Sequence, residues 1–100
     1  LGADGIVPST GNFVPGMFSR LYDAAIKGDM KTAHHYQDKT DEIAKIYQKD
    51  KTLTESLAAL KIIMNCFGLC EPYVLPPLKE LSSTVQQEII RQVREIGIME

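Results

Sequence analysis

Only one stretch of this 100-residue chain has the make-up of a β-strand, Gly5-Ile6-Val7-Pro8-Ser9-Thr10. A lone strand is not a stable element, because its backbone N–H and C=O groups go unpaired without neighbours. The segment is therefore either extended coil or a strand whose partners lie outside this sequence. Pro8 lacks the donor that a sheet ladder needs, which confines the segment to a strand end or edge. Gly11-Asn12 then breaks it. With no second strand in view, the expected fold is mainly α, four helices after one short strand.

The helices follow from periodicity and punctuation. Phe18, Leu21, Tyr22, Ala25 and Ile26 recur at the spacing of one helix face. Pro15 suits the first turn of that helix, and Gly28 suits a left-handed cap at its end. Asp29 is placed to cap a second helix after a tight corner. Ala33, Tyr36, Thr40, Ile43 and Tyr47 form the stripe of the second helix, and Gln48 to Lys51 reads as a polar turn.

A third helix is announced by Thr52-x-x-Glu55, a capping box whose two side chains satisfy orphan N–H groups. Its apolar residues, from Leu57 to Phe67, cover more than one face, as in a buried helix. Gly68-Leu69 supplies a cap glycine and its apolar contact. Three of the five prolines, Pro72, Pro76 and Pro77, mark a stiff extended crossing over residues 71–81. Ser83-x-x-Gln86 reads as a second capping box. Val85, Ile89, Val93 and Ile96 stripe the last helix, which Gly97 ends.

Composition excludes several classes. With 44% hydrophobic and 24% charged residues, the chain is not disordered. A formal charge of −2 argues against nucleic acid or an anionic membrane as partner. No apolar run approaches the about 20 residues of a spanning helix, and the N-terminus lacks the pattern of a signal peptide. Two cysteines are too few for a disulfide scaffold and suit a reducing, cytoplasmic setting. The chain begins at Leu1 rather than Met, consistent with a piece of something longer.

Few residues suggest chemistry. A zinc site needs about four converging ligands. Cys66 and Cys70 flank a helix end, and His34 and His35 point about 100° apart on a helix, so no metal site is expected. Ser9, Thr10 and Asn12 stand where α/β folds place ligand contacts, but they equally suit hydroxyls and an amide that satisfy a turn. Lys61 lies in an apolar helix. A buried amine there is a candidate Schiff-base nucleophile, whereas the commoner arrangement packs the stem and carries the ammonium to water or a carboxylate.

The run from Gly2 to Pro15 (Gly-Ala-Asp-Gly-Ile-Val-Pro-Ser-Thr-Gly-Asn-Phe-Val-Pro) resembles the last barrel strand and following loop of the dihydrodipicolinate synthase/N-acetylneuraminate lyase family. Ala25-Ile26-Lys27-Gly28-Asp29, the helix carrying Lys61 and closing on Gly68-Leu69, and the Leu75-Pro76-Pro77-Leu78 crossing follow in the family's order. Ala59-Leu60 stand where the family often has prolines. The resemblance implies the C-terminal piece of a (β/α)8 barrel with its helical extension. Residues 1–28 would be the last strand and its helix, and residues 29–100 the extension.

It further implies a parent that is a class I aldolase-type lyase or synthase of the cytoplasm, a homotetramer acting on pyruvate or another 2-oxo acid without a cofactor. The Schiff-base lysine and relay tyrosine of the family would lie upstream, so no catalytic residue is expected in this chain and Lys61 would be structural. The backbone at Val7 would lie beside the reactive lysine. Ser9 matches a position whose hydroxyl contacts the polyol chain of the substrate in the sialic-acid-lyase branch. The Ser-Thr-x-Asn wording leans toward that branch or toward keto-deoxy sugar acids. The competing expectation is a self-contained helical protein-interaction module with no catalysis, folding as a compact monomer.

Overall fold

A computed structural model describes residues 2–98. Among these residues four α-helices follow a 3-10 turn: α1 (Pro15–Ile26), α2 (Met30–Gln48), α3 (Leu53–Cys66) and α4 (Ser83–Ile96). The chain separates into two compact units, Leu1–Glu42 and Ile43–Glu100. No described helix is long and apolar enough to cross a membrane.

The expected strand over residues 5–10 is corrected. Among the described residues there is no strand. Residues 5–8 have no regular structure, and Ser9–Asn12 is a 3-10 turn. The physical reason is the one the sequence already contains: no partner supplies a ladder. The backbone at Pro8 is still extended (φ −85°, ψ 137°), and the turn begins directly after it.

In the first unit, Pro15 occupies the start of α1, as its fixed φ favours. Beyond α1, Gly28 takes φ 79°. Its N–H donates to Ala25 O at 3.1 Å, and Asp29 N–H donates to Ala24 O at 2.9 Å. These paired bonds form a Schellman cap that requires the left-handed residue. Asp29 Oδ1 then accepts from Thr32 N–H at 3.2 Å and caps α2. The apolar stripe of α1 is poorly covered: Ala24 is buried, Phe18 and Leu21 are half-buried, and Tyr22 and Ile26 are exposed.

The second unit has a fuller core. Ile43, Ile46, Tyr47, Ala58, Ala59, Leu60, Ile62, Ile63, Ile89 and Val93 are buried, and α3 packs against α4. Thr52 and Glu55 form the expected capping box, with both reciprocal bonds present. At the other end of α3, Gly68 N–H donates to Asn65 O at 2.9 Å and Leu69 N–H to Met64 O at 3.0 Å, with Gly68 at φ 72°.

Two local expectations shift. The cap of α4 is Ser82 rather than Ser83: Ser82 Oγ accepts from Val85 N–H at 3.3 Å. The side chain of Gln86 instead donates to Leu81 O at 2.7 Å. The crossing is not extended throughout, because Leu78 N–H donates to Leu75 O at 3.0 Å and closes a turn over the cis Pro76–Pro77 bond.

Candidate functional site

The N-terminal segment carries the residues singled out for substrate contact. Val7 is fully exposed and Ser9 is exposed at the first position of the 3-10 turn. Below them the loop is anchored. Thr10, Phe13 and Val14 are buried, and Thr10 O accepts from Phe13 N–H at 3.2 Å and from Val14 N–H at 3.1 Å. That doubly used carbonyl joins the turn to the start of α1, against which the turn packs.

Asn12 serves the turn itself, since its side-chain amide donates to Ser9 O at 2.8 Å and closes the loop from within. Gly11 N–H donates to Pro8 O at 3.1 Å. A Cβ at Gly11 would stand 3.2 Å from Pro8 Cγ, so the loop closes tightly because that position has no side chain. The 3-10 turn is thus closed by its own hydrogen bonds, and Val7 stands exposed just before it.

Between this segment and α1 lies a cleft of about 330 Å³, lined by Gly2, Ala3, Ile6, Leu21, Tyr22 and Ile26 among others. Ile6, Tyr22, Ile26 and Met30 around it are 62%, 46%, 67% and 52% exposed. Such clustered apolar exposure marks a contact surface rather than a scatter of single residues. Its signal in the sequence was the helical stripe of α1. Periodicity shows that a face is apolar, but not what covers it.

Lys61 is half-buried, and its ammonium donates to the backbone carbonyl of Tyr73. The acceptor is a peptide carbonyl rather than the carboxylate or water that the sequence suggested. The amine thus ties α3 to the segment that follows it.

The cysteines and histidines do not assemble. Among the described residues no group of three or more His, Cys, Asp or Glu side chains is positioned to hold a metal ion. Cys66 and Cys70 are both free and half-buried. Burial pushes the Cys66 thiol above its ordinary value, against the opposing pull of the Arg94 charge, so it is a poor nucleophile. His34 and His35 are exposed on α2, with the His35 ring set edge-on to Tyr36 at 5.3 Å.

The second unit has an open cleft of about 600 Å³ whose walls mix Lys45, Lys49 and Lys51 with Asp50, Glu55 and Glu88. Balanced charge of this kind is the signature of a solvated surface. On the exposed side of α4, Arg91 pairs with both Glu88 and Glu95. Asp41, on the exposed side of α2, accepts from Gln37 Nε2 at 2.8 Å.

Four helices behind an unpaired apolar segment are consistent with the C-terminal helical piece of a barrel. The chain belongs to the dihydrodipicolinate synthetase family, whose family model matches residues 1–96. It is similar to a probable 2-dehydro-3-deoxy-D-pentonate aldolase of Escherichia coli (strain K12), at 32% identity over 99% of this chain and 32% of the relative. It is also similar to the 4-hydroxy-tetrahydrodipicolinate synthase of Phenylobacterium zucineum, at 28% identity over 98% of this chain and 32% of the relative. The synthase of the same name from Methanococcoides burtonii is 30% identical over 100% of this chain and 33% of its own length. The chain therefore spans about a third of the length of these relatives. No solved structure matches it.

Proposed function

We propose that this chain is the C-terminal part of a Schiff-base lyase or synthase that makes or breaks a carbon–carbon bond next to a bound pyruvate or related 2-oxo acid. Its own share is positional. Residues 5–8 complete the wall of the barrel, Val7 and Ser9 line the mouth where substrate binds, and the helices from Asp29 onward form the extension. Barrel enzymes react at the end of the barrel where strands run into their loops, and Ser9 opens such a loop. The hydroxyl of Ser9 would meet the distal chain of the second substrate.

The carrying observation is the unpaired, exposed Ile6–Val7 segment beside the exposed stripe of α1, in a chain that matches about a third of each family relative. Apolar side chains standing in water along an unpaired segment mark a contact surface. The relative named as a keto-deoxy sugar acid aldolase agrees with a polyhydroxylated second substrate. Covalent capture of a 2-oxo acid needs a nucleophilic amine, and the amine of Lys61 is engaged with Tyr73 O. On this reading the catalytic lysine and tyrosine belong to the upstream part of a homo-oligomeric cytoplasmic parent.

The test is direct. Incubation of this chain with pyruvate and borohydride is expected to leave its mass unchanged. A stoichiometric reduced adduct, mapped to Lys61 or any other lysine here, overturns the assignment. In the parent enzyme, Ser9→Ala is expected to raise KM for the second substrate about tenfold, the scale of one lost hydrogen bond. Unchanged kinetics would remove Ser9 from the site.

A further inference from the structure

We infer that residues 70–81 form a strap laid back along α3, and that Lys61 is the latch that holds it closed. Two side chains of α3 take up carbonyls of the strap: Asn65 Nδ2 donates to Cys70 O at 2.9 Å, and the Lys61 ammonium donates to Tyr73 O. Asn65 and Lys61 are four residues apart and so share one face of the helix. The strap advances from Cys70 to Tyr73 as its anchors step back from Asn65 to Lys61, so it runs opposite to α3. The Cys70 thiol, 4.0 Å from Lys61 O, faces the same stretch of helix.

At its far end the strap is held again, where Gln86 Nε2 donates to Leu81 O at 2.7 Å. Between the anchors lies the largely exposed Leu75–Leu78 turn. Tyr73 and Leu75 are 65% and 82% exposed, and none of residues 70–81 is buried. A segment with so little apolar burial opens locally at low cost, so side-chain donors decide whether it stays down. Of the two donors on α3, the ammonium makes the charge-assisted and hence stronger bond. It also lies nearer the turn. Releasing it frees the strap from Tyr73 through Glu80 while Asn65 still pins Cys70.

Backbone NMR order parameters of the intact protein, with Lys61→Met and Lys61→Arg, test this latch. Lys61→Met keeps the apolar stem and removes the donor. Order parameters at the amides of residues 73–75 and 78–80 are expected to fall below about 0.6, the flexible range, with residues 85–93 of α4 unchanged, and Lys61→Arg is expected to stay near the parent values. Parent-like values in Lys61→Met, an equal fall in Lys61→Arg, or a matching fall in α4 each overturns the latch. Should Lys61→Met fail to fold, Asn65→Ala decides. It is expected to loosen residues 70 and 71 and leave 73–80 ordered, and uniform loosening of the strap overturns the assignment.

Discussion

α1 and α3 are of similar length and both carry apolar residues at helical spacing, yet they end in opposite situations. α3 buries Ala58, Ala59, Leu60, Ile62 and Ile63, and meets a partner in α4. α1 buries Ala24 and leaves Tyr22 and Ile26 in water, next to the exposed Ile6 and Met30. The second unit has a core of its own. The first shows a face prepared for contact. Amphipathic patterning specifies that a face will be covered, and only a long enough stretch of chain supplies the cover.

The largest expected effect tests that contrast in one pair of variants. Ile63 is 0% exposed and Ile26 is 67% exposed. Ile63→Ala is expected to cost about 2–5 kcal/mol in urea unfolding, through lost transfer energy and a residual cavity. Ile26→Ala in this chain is expected to fall within about 0.5 kcal/mol of the parent. Equal losses would mean that α1 is covered as well as α3 and would dissolve the comparison.

Smaller effects sharpen it from the helix ends. Gly68→Ala places a Cβ where nothing lies within 4 Å, but at φ 72°. Its expected cost, about 1–2 kcal/mol, is purely conformational. Thr52→Ala removes the acceptor of Glu55 N–H and is expected to cost about 1 kcal/mol by the same unfolding measurement.

The smallest effect is a pH dependence shared by exposed carboxylates in both units. Asp29 is held below its ordinary 3.8 by the Thr32 hydroxyl and then its N–H. Glu55 is held below 4.5 by the Thr52 N–H and then its hydroxyl, and Glu88 below 4.5 by Arg91. The unfolded chain then binds more protons than the folded one, so stability rises with pH through this range. The contribution is complete above the ordinary carboxylate values and fades as pH falls below them. NMR titration of Asp29, Glu55 and Glu88 checks it: ordinary midpoints would remove the caps and the Arg91 pair as the cause.

What the sequence announced and what it hid divide along physical lines. Gly28-Asp29, Thr52-x-x-Glu55, Gly68-Leu69 and Gly97 act through bonds within a few residues, and each cap falls where those residues put it. Ser82 and Ser83 are adjacent and chemically alike, so the choice of cap depended on which serine the incoming chain aligned with the first turn. The Leu75–Leu78 turn and the Tyr73 carbonyl that receives Lys61 depend on the path of the crossing, which no periodicity encodes. For the N-terminal segment, local residues named a strand while the ladder that makes one is a matter of other strands. Asn12 was legible as a turn residue, but Val7 and Ser9 acquire a chemical role only from what faces them.

If the apolar face of α1 and the Ile6–Val7 segment belong against further polypeptide, this chain alone presents them to water. Size-exclusion chromatography with light scattering, in the presence of a dye that fluoresces on exposed apolar surface, measures that most directly. Dye binding and self-association are expected, both suppressed by Ile26→Glu. A dye-silent monomer of a single hundred-residue mass would contradict this and would favour a self-sufficient helical module.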